Sequence, residues 1–118
     1  MFHLKNLYKS FKHAFLGLFQ VLREEQSFRI QISLAIVVII LAFYFRITAW
    51  EKIALLMVIV GVLVLELVNT IFERLSDVFK PRIHDYIKQV KDIMAAAVLI
   101  ASGGALVVGV LIFWKYIF

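Results

Sequence analysis

The chain has 118 residues, 64% of them hydrophobic, and no cysteine. A soluble domain of this size cannot hide that much apolar side chain, so a single-domain membrane protein is expected; disulfides, thiolate zinc sites, iron–sulfur clusters and thiol catalysis are excluded. The net charge of +5 does not signal nucleic acid, because the basic residues flank apolar runs without a basic–aromatic array or zinc-finger spacing, and anionic lipid headgroups suit it better.

Residues 1–29 read as an amphipathic helix. Leu4, Leu7, Tyr8, Phe11, Phe15, Leu18, Phe19 and Leu22 recur at three and four, while Lys5, Lys9 and Lys12 fall largely elsewhere. Such a helix lies in the membrane interface; the competing reading packs it on a partner protein. No small-residue cleavage site follows, so it is not a cleavable signal. Ile30 to Phe45 carries no charge and opens the first span, expected over 30–47 with Arg46 snorkelling at its end. Thr48-Ala-Trp-Glu51 reads as a capping box that starts a second span over 50–72. Residues 74–91 are polar, and the lone proline, Pro81, breaks the helix or starts the next turn. Ile93 to Trp114 is uncharged and places the third span at 92–116.

Orientation follows from the basic residues. Ten of them, Lys5, Lys9, Lys12, Arg23, Arg29, Arg74, Lys80, Arg82, Lys88 and Lys91, fall in the first segment and the 74–91 loop. Only Arg46, Lys52 and Lys115 fall opposite. That asymmetry puts the N-terminus in the cytoplasm and the C-terminus outside. Tyr44, Trp50, Trp114 and Tyr116 then mark the outer boundary as an aromatic belt.

The second span ends on Glu66-Leu-Val-Asn-Thr-Ile-Phe-Glu73. Positions 66, 69 and 73 share one helix face. Acidic residues are rare at membrane depth because an unpaired buried charge is costly, so a clustered pair points to function. An acidic face near a membrane boundary can hold a divalent cation, and a cation can hold a nucleotide's phosphates. The bland reading makes Glu66 and Asn69 polar glue between helices. A different functional class is a small oligomeric proton-coupled transporter or channel using Glu66, but its place beside Asn69 and Glu73 argues against that. Ser102-Gly-Gly104 lacks P-loop spacing and the P-loop lysine.

Further segments join this face. They are Glu25-Gln-Ser-Phe-Arg29, Asp77, His84 and Lys91-Asp92-Ile-Met-Ala-Ala-Ala-Val-Leu99. With these the chain resembles the small bacterial integral-membrane lipid kinases, diacylglycerol kinase and its undecaprenol kinase relatives. The shared pattern is E-x-x-N-(S/T)-x-x-E followed by K-D with a small-residue run, and the match runs from Glu25 to Leu99. The resemblance implies an all-α fold, with an interfacial helix plus three transmembrane helices assembled as a homotrimer. It implies Mg-ATP-dependent phosphorylation of a lipid hydroxyl at the cytoplasmic face of the bacterial inner membrane. By position, Glu25 and Glu73 match metal-holding carboxylates that also reach the nucleotide, and Glu66 matches the general base. Asn69 and Asp77 match supporting positions. His13, His84, Lys91 and Asp92 match nucleotide contacts. Three positions depart from the pattern. Ile71-Phe72 replaces a more usual Ala-Ile, and Asn6 stands where an arginine contacts nucleotide in some members. Ala95 stands where diacylglycerol-type members often carry Ser, which leans towards a polyprenol.

The chemistry fits independently. Phosphoryl transfer asks for positioning and charge neutralisation more than covalent help. Lys91 neutralises oxygens as a point charge. Glu66 lies nearer the bilayer than Glu73, where a lipid hydroxyl arrives laterally. Outside the resemblance, Lys91 and Asp92 read as an interface snorkel and a helix cap.

Overall fold

Long uncharged runs leave the backbone no partner but itself inside a bilayer, and helices are the outcome. The computed structural model describes residues 3–79 and 84–118. Four helices follow in order: α1 Leu4–Glu24, α2 Gln26–Tyr44, α3 Ala49–Phe79 and α4 His84–Ile117. The last three are long and apolar enough to cross a membrane, and the described residues form no strand. The expected all-α architecture of one amphipathic helix plus three spans is the one observed. Pro81 lies outside the described residues, as does the side chain of His84.

Helix α1 buries none of its residues. Leu4, Tyr8, Phe11, Phe15 and Phe19 stay exposed along one face. The chain does not cover this face, as a helix lying in a bilayer interface requires.

Apart from the first span, which closes at Tyr44 rather than at residue 47 because Arg46 turns left-handed, two boundaries differ from the expected ones. The first helix stops at Glu24 rather than running to residue 29, because Glu25 is extended (φ −109°, ψ 111°) and makes an elbow into α2. Arg29 supports the elbow from below, with Nη1 donating to the carbonyls of Leu22 at 3.0 Å and Arg23 at 2.7 Å. It thereby satisfies oxygens that the end of α1 leaves without helical partners. The second boundary concerns residues 74–91. Helix α3 continues to Phe79, and α4 already begins at His84. No glycine or proline interrupts either stretch, so the helical ladder runs on where the side chains turn polar. Lys91 and Asp92 therefore sit inside α4, and Asp92 does not cap its start.

The opposite end, which joins α2 to α3, is built from local rules. Arg46 N–H donates to the Phe43 carbonyl and Ile47 N–H to the Ala42 carbonyl, each at 3.3 Å. This is a Schellman motif, and Arg46 takes the left-handed position at φ 52°. The capping box then forms as expected. Thr48 Oγ1 accepts from the Glu51 N–H at 3.2 Å, and Glu51 Oε1 accepts from the Thr48 N–H at 3.0 Å. Ala42, Ile47, Leu55, Ile112 and Phe113 pack into the main apolar cluster at this turn end. Tyr116 OH donates to Glu51 Oε1 at 2.7 Å, and Lys115 Nζ meets Glu51 Oε2 at 2.7 Å. Helix α4 is thereby fastened to the first turn of α3. The other end of the bundle carries the acidic residues.

Candidate active site

Period 3.6 brings Glu66, Asn69, Thr70 and Glu73 along one side of α3. Glu66 is 7% exposed and Thr70 5%, which makes Glu66 the one buried carboxylate among the described residues. Its surroundings answer only part of its hydrogen-bonding capacity. Gln31 Nε2 on α2 donates to Oε1 at 3.5 Å. Thr70 Oγ1 donates to the Glu66 main-chain carbonyl at 3.0 Å, which stiffens the helix without touching the carboxylate. Oε2 receives no hydrogen bond from the described residues.

Asn69 and Glu73 are half-buried one and two turns further on. Asn69 Nδ2 donates to Glu73 Oε1 at 3.5 Å. Glu25 enters from the elbow, where its backbone is extended and its side chain meets Arg74 of α3. Glu73 stands two turns from Glu66 on the same side of α3, and Arg74, next to Glu73, holds Glu25 of the elbow at 3.2 Å, so the three carboxylates form one acidic neighbourhood. Arg74 closes it. Its Nη2 lies 2.7 Å from Glu24 Oε2 and 3.2 Å from Glu25 Oε1. Hydrogen bonds to Glu25 and Glu24 push the Arg74 pKa up, so the guanidinium stays charged.

The other expected site residues are less closely gathered. Asp77 is exposed one turn beyond Glu73. Asp92 is exposed and pairs with Lys88 at 4.0 Å along α4, while Lys91 beside it is half-buried. His13 is exposed on α1, twelve residues before Glu25, or about 18 Å along the helix. One chain thus assembles Glu66, Asn69, Glu73 and Glu25, and leaves His13, Asp77, Lys91 and Asp92 open around them.

Two members of the neighbourhood escape sequence reasoning. Gln31 is an amide inside an uncharged run that also carries Ser33, and an amide at span depth is the signal for it. Arg74 enters the sequence reading only through its charge. Its partners stand 49 and 50 positions away, and no spacing reveals such a contact.

Among the described residues, no three His, Asp or Glu side chains converge to hold a metal ion alone. Two hard carboxylates, Glu25 and Glu73, fit an ion that completes its shell with phosphate oxygens and water, which is the habit of Mg²⁺. They do not fit a structural zinc, which is almost always held by four side-chain ligands.

A cavity of about 660 Å³ runs between the three long helices, lined by Gln31, Val38, Val62, Leu63, Ser102 and Phe113 among others. Its lining is apolar except near Gln31 and Ser102, and Gln31 connects it to Glu66.

The sequence profile of the prokaryotic diacylglycerol kinase family matches residues 12–113. The chain is 32% identical over 110 residues to an undecaprenol kinase of Bacillus subtilis, covering 93% of this chain and 89% of that protein. It is 32% identical over 105 residues to a diacylglycerol kinase of Synechocystis, covering 88% of this chain and 60% of that protein.

Proposed function

The chain belongs to the prokaryotic diacylglycerol kinase family, and from that premise we propose a lipid kinase that moves the γ-phosphoryl group of Mg-ATP to the hydroxyl of a membrane lipid alcohol at the acidic end of the bundle. The observation that carries this reading is the buried Glu66 carboxylate joined through Gln31 to an apolar cavity. A lipid lodged among the long helices has its tail in apolar surroundings and its hydroxyl within reach of a base.

In this reading Glu66 Oε2 takes the hydroxyl proton as the lipid oxygen bonds to the γ-phosphorus. The bond from that phosphorus to the β,γ-bridging oxygen breaks, and ADP leaves. Gln31 holds Oε1 and fixes the carboxylate rotamer, so the proton acceptor needs no reorganisation. Asn69 orients Glu73. Glu73 and Glu25 hold Mg²⁺, which neutralises phosphate oxygens when bound. Lys91, Asp92, His84 and His13 are nucleotide contacts on the strength of the family pattern, and Asp77 supports them. Drawing His13 and the α4 pair inward falls to the nucleotide and to neighbouring copies. A homotrimer supplies such copies, and the uncovered apolar faces of α2, α3 and α4 give it surface to form on. The basic-residue asymmetry sets the acidic end in the cytoplasm, on the side of the inner membrane where ATP is.

The preferred acceptor in this reading is a polyprenol. The chain and the undecaprenol kinase match over nearly the whole of both, and Ala95 leans the same way. A proton-coupled transporter gains no support, since Glu66 sits with Asn69 and Glu73 near the end of the apolar stretch. The experiment is a side-by-side assay of purified protein on undecaprenol and diacylglycerol with Mg-ATP. A higher kcat/KM on undecaprenol is expected. Preference for diacylglycerol overturns the polyprenol assignment, and transfer to neither overturns the lipid kinase.

A further inference from the structure

The acidic end holds one close ion-pair system between α3 and the α1–α2 elbow, and it involves a residue the reaction scheme above does not use. Arg74 follows Glu73 directly on α3. A single nitrogen, Nη2, is shared between Glu24 Oε2 at 2.7 Å and Glu25 Oε1 at 3.2 Å. Both carboxylates belong to the elbow where α1 becomes α2, and Glu24 is the closer partner. A guanidinium on Glu25 and a metal ion on Glu25 compete for the same lone pairs. Without Arg74, no ion pair among the described residues ties Glu24 and Glu25 to α3.

We propose that Arg74 is a stand-in cation at the metal site, pairing with Glu25 while no metal is bound and yielding Glu25 to Mg²⁺ while keeping its hold on Glu24. This rests on the reading of Glu25 as a metal ligand. The unequal distances give the exchange its direction. The longer contact, to Glu25, is the one that is released, and the shorter one, to Glu24, keeps the elbow tied to α3 before and after the metal arrives. Arg74 is thus a positioning residue. It keeps Glu25 facing α3 between turnovers and sets the affinity at which metal enters. Arginine suits the task because Nη2 alone carries two N–H donors in fixed directions, one for each carboxylate, whereas a lysine ammonium acts as a point charge. The pair is about half exposed, so the contact is weak enough for a divalent cation to displace.

The test is Mn²⁺ binding to the purified full-length chain in detergent without nucleotide, read from the free-ion electron paramagnetic resonance signal. Arg74→Gln removes the competitor and is expected to tighten Mn²⁺ binding by roughly two- to fivefold. A role limited to folding gives no tightening. Arg74→Lys keeps the charge but not the planar guanidinium, and its affinity is expected between wild type and Arg74→Gln; it decides the matter if Arg74→Gln does not fold. Arg23→Gln is the control for net charge. It removes a neighbouring exposed cation that contacts neither carboxylate, and it is expected to tighten binding less than Arg74→Gln does. Equal tightening by Arg23→Gln and Arg74→Gln overturns the proposal, as does unchanged or weaker binding in both Arg74 variants. Glu25→Gln separates the two readings. If it leaves Mn²⁺ binding unchanged, the ligand assignment of Glu25 fails. If it weakens binding while the Arg74 variants do not strengthen it, the stand-in role alone fails.

Discussion

The two ends of the bundle treat their charges in opposite ways. At the turn end the chain answers its own groups closely. Glu51 takes Lys115 and Tyr116 at 2.7 Å and the Thr48 amide at 3.0 Å, above the main apolar cluster. Lys52 lies 4.9 Å from the centre of the Phe43 ring. At the acidic end the contacts to Glu66 and Glu73 stretch to 3.5 Å, and Asp92 meets Lys88 only at 4.0 Å. Two cations are exceptions: Arg29 meets main-chain carbonyls of the elbow at 2.7 and 3.0 Å, and Arg74 is a cation where a metal is expected. Short, satisfied contacts hold a fold together. Long, half-satisfied ones leave lone pairs for a substrate and for an ion, and a functional site needs them to be open. The difference therefore separates the part of the molecule that holds the helices from the part proposed to carry the chemistry.

Breaking the acidic end should cost activity first. Glu66→Gln keeps shape and packing but cannot accept a proton, so kcat is expected to fall by about 10²–10⁴-fold with nucleotide affinity nearly unchanged. Steady-state kinetics on the preferred lipid check this, and a fall confined to KM contradicts the base role. Glu73→Gln and Glu25→Gln each remove a hard anionic ligand. Their expected signature is a higher Mg²⁺ requirement, read by titrating Mg²⁺ at fixed ATP. Normal Mg²⁺ curves in both variants remove them from the metal site.

Breaking the turn end should cost stability instead. Ile112 is buried in the apolar cluster and does not line the cavity assigned to the lipid. Ile112→Ala opens a void, but the released surface meets lipid rather than water, so the transfer contribution shrinks. A loss of about 2 kcal/mol is expected, the low end for such truncations. Unfolding in a graded denaturing detergent measures it, with turnover per folded molecule unchanged. Arg46→Gly gives the smallest effect and the opposite sign. Glycine takes φ 52° without the left-handed penalty of roughly 1–2 kcal/mol, set against a more flexible unfolded chain. A gain of at most about 1 kcal/mol in the same assay is expected, with activity unaltered.

Which features the sequence disclosed follows the same division. The turn end is local: a capping box and an apolar run are written in consecutive residues, and the structure forms the box between Thr48 and Glu51. Helix identity was equally plain, because uncharged stretches of span length admit few other conformations in lipid. The elbow at Glu25 was not legible. No glycine or proline marks it, and the groups that stabilise it, Arg29 on the carbonyls of α1 and Arg74 on the carboxylates, act across turns and across helices. Lys91-Asp92 looked like a helix start because polarity changes there, yet charged residues without a breaker continue a helix into the interface. The face of Glu66, Asn69 and Glu73 was readable from spacing alone. Gln31 opposite Glu66 depends on how α2 packs on α3, which no single segment encodes.

The central claim is that the acidic end transfers phosphate to lipid while the turn end only supports it. Radiolabelled γ-phosphate tests this most directly, followed from Mg-ATP into the lipid phase of mixed micelles by wild type, Glu66→Gln and Ile112→Ala, each at a temperature where it is folded. The account predicts label in the lipid alcohol for wild type and Ile112→Ala, and almost none for Glu66→Gln. Equal labelling by Glu66→Gln, or label released only as inorganic phosphate by the wild type, would contradict it.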